Sequence, residues 1–257
     1  MQARIVGAAR GARWLGEGWR IFRGAPLAWL AAVFGYWLLM TLISLAPIVG
    51  VAVASILVPA FSVGFMAIAR AASHGGQAEL GLLFDGLRHE PRTQLTLGVV
   101  YFACLALLLG AAALADDGAL AQWMISGRRP DEEVLQSDGF FAGLVIAALL
   151  YLPVMAAFWF APPLAAWHST GALKALFFSL AASVMNWRAF LAYGIVTGVV
   201  TMVIPFTALM VLTLASAGTL RFPAASLLFP LLLILLPTLF ASFYASYRDV
   251  FGYDAAP

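Results

Sequence analysis

The sequence predicts an all-α membrane protein with six transmembrane helices, arranged as three tandem units of an amphipathic helix plus a transmembrane hairpin. Three observations predict it. Hydrophobic residues make up 63% of the 257 residues and charged residues only 10%, with a mean hydropathy of +0.96. Soluble domains carry about 45–50% apolar and about 25% charged residues, so lipid has to be the solvent for most of this chain. Six apolar stretches reach the ~20 residues that a bilayer-spanning helix needs. Proline, arginine and aromatic residues also recur along the chain at matching intervals.

The first unit opens on an amphipathic segment. Leu15, Gly18, Trp19 and Phe22 fall at i, i+3, i+4 and i+7, with Arg10, Arg13, Glu17 and Arg20 on the opposite face. Such a helix, placed just before a hairpin, is expected to lie in the membrane interface, its apolar side down and its arginines toward anionic headgroups. Apolar stretches at about 27–46 and 48–69 follow, and Ala46-Pro47-Ile48-Val49-Gly50 allows only a tight turn between them. The run from Leu27 to beyond Ile56 far exceeds the ~7–15 apolar residues of a signal peptide, so two retained helices are expected.

A shift of 65 residues maps Leu15, Trp19, Phe22, Arg23, Pro26 and Leu30 onto Leu80, Phe84, Leu87, Arg88, Pro91 and Leu95. Asp85, Arg88, His89 and Glu90 would form the solvated face of this second amphipathic helix. Spans at about 94–115 and 140–161 flank one long polar loop, Asp116 to Gly139. In the third unit Leu173, Leu176, Phe177 and Leu180 repeat the apolar spacing, with Lys174 as the charged residue, and spans follow at about 189–217 and 223–247. Trp187-Arg188-Ala189-Phe190-Leu191 matches Pro26-Leu27-Ala28-Trp29-Leu30. Pro59, Pro153 and Pro237 are each followed by an aromatic residue at six (Phe65, Trp159, Phe243) and alanine at eight (Ala67, Ala161, Ala245). Position eleven is Arg70, Leu164 and Arg248, so the middle unit departs there. The units run about 1–75, 76–170 and 171–257, in a single membrane domain.

Orientation follows from the placement of Lys and Arg. With the N-terminus inside, eleven lie on the inner side (Arg4, Arg10, Arg13, Arg20, Arg23, Arg70, Arg88, Arg92, Lys174, Arg188, Arg248) and three outside (Arg128, Arg129, Arg221). The long loop, with six acids, is net −4. The expectation is a bacterial inner (cytoplasmic) membrane protein with both termini cytoplasmic. Trp29, Trp167, Trp187, Tyr247 and Tyr253 fall near the borders, where aromatic residues anchor.

Two stretches carry a family resemblance: Trp14-Leu15-Gly16-Glu17-Gly18-Trp19-Arg20-Ile21-Phe22-Arg23 with Pro26, and Ala161-Pro162-Pro163-Leu164 through Lys174-Ala175-Leu176-Phe177 to Asn186-Trp187. They resemble an uncharacterised family of proteobacterial multi-pass membrane proteins, itself distantly similar to the membrane domain found beside glycerophosphodiester phosphodiesterases. The resemblance implies a membrane location and six helices, and brings no activity with it.

The residues offer little chemistry. Cys104 is the only cysteine and sits in an apolar run, which excludes an intrachain disulfide. His74, His89 and His168 lack the spacing of a metal-ligand motif, and neither a phosphate-binding glycine loop nor Gly-x-Ser-x-Gly occurs. No catalytic residue, metal or cofactor is expected, and the net charge of +2 is too small to indicate nucleic acid. The spans carry no Asp, Glu, Lys or Arg near their centres, against a proton-coupled pathway. Inside them, Pro205 with Thr197, Thr201 and Thr207, and Gly194-x-x-x-Gly198, read as packing devices. His168, Asn186, Trp187 and Arg188, with Arg13, Arg20 and Arg23, are candidate contacts to lipid headgroups. The expected function is non-enzymatic: organising membrane lipids or partner membrane proteins at the cytoplasmic face. The alternative is a transporter, channel or lipid carrier with a cavity between the hairpins.

Overall fold

The structure, a computed structural model, describes residues 2–46, 48–215 and 224–252, less the side chains of 208, 212, 215 and 224–230. Pro47, Arg221, Tyr253 and the Pro230 side chain lie outside the described residues. Among the described residues all regular structure is helical. Six spans qualify by length and hydropathy: Pro26–Ser44, Val49–Ser73, Pro91–Asp116, Asp138–His168, Trp187–Val211 and Leu231–Phe251. Large apolar side chains along them, such as Leu107, Leu114 and Met202, face outward, as a lipid solvent allows.

The element order follows the predicted alternation. Helix α1 (Ala8–Gly24) precedes α2 (Pro26–Ser44) and α3 (Val49–Ser73). A 3-10 turn, Leu80–Phe84, and the single-turn α4 (Asp85–Arg88) precede α5 (Pro91–Asp116). Then come α6 (Ala119–Ser126), α7 (Glu132–Leu135), α8 (Asp138–Phe158) and α9 (Ala161–His168). Helix α10 (Ala172–Met185) precedes α11 (Trp187–Gly198), a π-helical turn at Val199–Val203, α12 (Ile204–Ala215) and α13 (Ala224–Phe251). The matched residues Pro26, Pro91 and Trp187 each begin their helix, and the residues six further on, Ala32, Leu97 and Tyr193, are all buried. Pro59, Pro153 and Pro237 all lie within helices, and the alanines eight residues later are buried in all three.

Several local expectations change. The second amphipathic segment is only a 3-10 turn plus one helical turn, with Leu80 and Phe84 exposed and Leu83 buried instead. The polar loop is half helix, since α6 and α7 form within it. Gly127 closes α6 in the left-handed conformation (φ 68°), its N–H on the Trp123 carbonyl. Asp116, expected in solvent, is buried: its carboxylate accepts the N–H groups of Gly118 and Leu120, both at 2.9 Å, and so caps α6. Trp29 and Tyr247 are wholly buried and not border anchors; Trp29 stacks on Phe65 at 6.4 Å. Among the described residues nothing stands within 4 Å of where a Cβ of Gly194 or Gly198 would be, so no close helix approach is seen there. The Thr201 hydroxyl donates to the Thr197 carbonyl at 2.7 Å, a bond within its own helix and not to the carbonyl four residues before Pro205.

The chain divides into two compact units, Met1–Phe34 with Phe65–Leu83 and Ala182–Pro257, and Gly35–Gly64 with Phe84–Ala181. In unit 1, α1 packs along α11 and α13. Gly18 makes that approach possible, because a Cβ there would collide with the Thr238 carbonyl and with Ser242. In unit 2, α5 and α8 form the main pair, and Gly86 meets the Ala60 carbonyl just as closely. Thr238 and Ala60 are each the residue after a matched proline, so two amphipathic segments seat a glycine at the same point of a proline-bearing helix.

Unit 2 also shows how a proline-containing helix is broken and repaired. Pro162 and Pro163 lack the N–H groups that would continue α8, so the helix stops and α9 starts anew. At the break the Ser179 hydroxyl, fully buried, accepts from the Phe160 N–H and donates to the Ala156 carbonyl, both at 2.9 Å. A side chain thus stands inside a backbone i→i−4 pair, an identifiable cause of a bend.

Candidate functional site

In unit 1 the sequence places α1 by burying Gly11, Trp14, Leu15, Gly18 and Phe22. Fully burying side chains such as Leu15 or Phe22 is worth roughly 1.5–3 kcal/mol each relative to water. This face is the expected one at Leu15, Gly18 and Phe22 and departs from it at two positions. Trp19 is exposed, while Glu17, expected among the solvated charges, is only 6% exposed. The spacing 11, 14, 15, 18, 22 was available in the sequence, but a face apolar toward protein and one apolar toward lipid have the same periodicity.

Glu17 is buried because cations surround it. Arg10 reaches its Oε1 at 2.8 Å, Arg20 stands 3.6 Å away, and Arg248 hydrogen-bonds its Oε2. Asp249 completes the cluster. It accepts from Arg10 Nη2 at 2.8 Å and from the indole N–H of Trp14 at 2.8 Å. The hydrogen bonds to Asp249 raise the Arg10 pKa above the ordinary arginine value, although desolvation opposes them. Three guanidinium groups share two carboxylates, so the cluster keeps one positive charge. Both carboxylates are desolvated, at 7% and 9% side-chain exposure, and only this pairing offsets the cost of burying them.

The candidate headgroup residues separate into different roles. Asn186 is fully buried: its Oδ1 accepts from Val6 N at 2.7 Å, and its Nδ2 donates to the Arg4 carbonyl at 3.1 Å and the Ala182 carbonyl at 2.9 Å. With both amide hydrogens committed, it clamps the N-terminal segment and does not face a headgroup. The Arg4 N–H continues that anchorage on the Val250 carbonyl at 2.7 Å. His168 ends α9, in unit 2, and so does not belong to the same packed unit as residues 186–188. Trp187 is exposed, and the Arg188 guanidinium stands over its ring at 5.4 Å.

Arg13, Arg20 and Arg23 are exposed together with Trp19. They fall seven and three residues apart, along the side of α1 turned away from its buried face. The result is a basic stripe with one aromatic ring on a helix whose other side is fixed by packing.

In unit 2, Gln94 is fully buried in α5 and donates to the Pro162 carbonyl at 2.8 Å, tying α5 to α9. Residues 85–90 are as expected in part: Arg88, His89 and Glu90 are exposed, and Asp85 lies 3.2 Å from His89.

A probable inner membrane protein of Burkholderia thailandensis is 38% identical over 260 residues, covering 98% of this chain and 94% of its own length. No protein-family model matches the chain. No solved structure matches it either. With six helices long and apolar enough to span a bilayer and a relative this similar over nearly all of both lengths, the chain belongs to the family of that probable inner membrane protein.

Proposed function

We propose that this is a non-enzymatic inner-membrane protein that gathers anionic lipid at the cytoplasmic face. One observation carries the reading: Arg13, Arg20 and Arg23, with Trp19, stand exposed on a helix whose opposite side is held by protein. A basic residue near an anionic surface contributes about 1 kcal/mol, so three of them favour anionic lipid by a few kcal/mol at low salt. Indole rings favour the headgroup level, and Trp19 supplies one. The eleven-to-three distribution of basic residues supports placing this face, and both termini, in the cytoplasm. Trp187 and Arg188 extend the same chemistry from the start of α11.

The test uses the full chain in nanodiscs made from phosphatidylglycerol and phosphatidylethanolamine, with bound lipids counted by native mass spectrometry after release. Wild type should retain phosphatidylglycerol preferentially, and R13Q/R20Q/R23Q should lose that preference. Equal retention of both lipids by wild type would sink the proposal. The lipid-carrier reading draws on a different feature, a cavity in unit 2.

A further inference from the structure

Unit 2 holds an apolar cavity of about 600 Å³, walled by residues such as Leu105 of α5, Leu144 of α8, and Leu120, Met124 and Ile125 of α6. Its few polar groups are Ser55, Tyr101 and Tyr151. Ser55 already donates to the Val51 carbonyl at 2.8 Å, and the two tyrosine hydroxyls interact with one another. An ion or polar solute entering here would lose its hydration without replacement.

The depth of the cavity narrows the choice further. Tyr101 is the eleventh of the 26 residues of α5, and Tyr151 the fourteenth of the 21 of α8. From that midpoint the lining on α5 continues only toward α6, and no residue of α5 before Tyr101 contributes to it. Tyr101 to Leu109 is about 12 Å at 1.5 Å per residue, close to half of a ~30 Å hydrocarbon core. The space is therefore about one leaflet deep, and its volume falls in the ~300–1,000 Å³ range of ligand pockets. One alkyl chain fits that description, and a through-passage does not.

Charge at the rim selects the headgroup. A polar cleft also borders α6, lined by Gln122, Trp123, Arg128, Arg129 and Asp131 among others. Arg129 is taken by Glu132 at 3.0 Å. Arg128 and Asp131 then present one positive and one negative charge just past the end of α6 in the chain, near Met124 and Ile125 of the cavity lining in sequence. This pair complements a phosphate and an ammonium group together, while the net −4 of residues 116–139 disfavours an anionic lipid. We propose that unit 2 holds one zwitterionic phospholipid, with one of its two acyl chains among α5, α6 and α8 and its headgroup against Arg128 and Asp131. This site lies outside α1 and takes a different lipid class; on the orientation proposed above it draws from the periplasmic leaflet.

The experiment titrates the delipidated, full-length protein in detergent with phosphatidylethanolamine or phosphatidylglycerol and counts adducts by native mass spectrometry. Wild type should bind one phosphatidylethanolamine that R13Q/R20Q/R23Q does not remove. A148W, which fills the cavity, should weaken that adduct by about tenfold or more and leave phosphatidylglycerol binding intact. R128Q, an exposed change that leaves the packing alone, should weaken the same adduct several-fold, which keeps the test open if A148W misfolds. Phosphatidylethanolamine binding unchanged in a folded A148W or in R128Q would overturn the proposal. So would equal occupancy of this site by phosphatidylglycerol. Neither result bears on α1, whose failure would appear only in the phosphatidylglycerol counts.

Discussion

Arg10 holds Asp249 in a two-point fork, Nη2 to Oδ1 at 2.8 Å and Nε to Oδ2 at 2.5 Å, across 239 residues of sequence. The fork joins the first helix to the last. It fixes which side of α1 is spent on protein and which stays exposed. Glu17 and Arg248 repeat the connection about two turns along α1.

Removing one guanidinium of this cluster should cost more than removing one carboxylate. R10Q leaves the Asp249 carboxylate, 9% exposed, without its fork, and loss of one partner of a buried pair costs about 3–5 kcal/mol. The lower end applies, because Trp14 still donates to Asp249 and Arg10 is 37% exposed and partly screened by solvent. D249A removes the buried charge itself and should cost less, although Trp14 loses this acceptor. Thermal unfolding of the detergent-solubilised protein measures both, and trypsin should cut after Arg13 or Arg20 sooner in R10Q. A larger loss in D249A would contradict this division of roles.

Two glycines of α1 should respond in opposite directions. G18V drives a side chain into the Thr238 carbonyl and should destabilise by at least about 1–3 kcal/mol. Gly16 has nothing within 4 Å of its missing Cβ, so G16A should stabilise by roughly 0.5–1 kcal/mol through helix propensity. Melting temperatures of the two variants, measured side by side, separate packing from propensity.

Ser179 is the simplest test of the repaired break in unit 2. S179A removes the buried hydroxyl that accepts from the Phe160 N–H and donates to the Ala156 carbonyl, at a cost of about 1–3 kcal/mol. A neutral S179A in thermal unfolding would mean that the backbone recloses the bond on its own.

What could be read from the sequence was what is local. The six spans depend on length and hydropathy alone, and Pro26 and Pro91 mark helix starts because proline suits the first turn. Glu17 was placed on the wrong face because the cation that takes its Oε2, Arg248, lies 231 residues away, beyond the reach of periodicity. Asn186 misled for the same reason: a polar residue at a span border looks alike whether it meets a headgroup or clamps a distant backbone. Helix α6 did leave a signal. Gly118 and Gly127 bracket Ala119-Leu120-Ala121 and Trp123-Met124-Ile125, an apolar segment inside a loop read only for its charges.

The Asn186 clamp predicts a local effect without global loss. N186A removes the acceptor of the Val6 N–H and the donor to the Arg4 carbonyl. Hydrogen–deuterium exchange should speed up across residues 4–6, while peptides of α5 and α8 keep their protection. Unchanged exchange at residues 4–6 would show that the Arg4 bond to Val250 suffices.

The central claim is that α1 presents its arginines to an anionic membrane surface while its other face stays locked on protein. A nitroxide at G16C in a C104A background reports this most directly, because residue 16 lies on the exposed side. Its accessibility to oxygen and to a water-soluble nickel chelate is compared in phosphatidylglycerol-containing and purely zwitterionic nanodiscs. The account predicts headgroup depth in the anionic discs, and movement toward water in high salt or when R13Q/R20Q/R23Q is added. An identical aqueous position in both lipids and at both salt concentrations would contradict it.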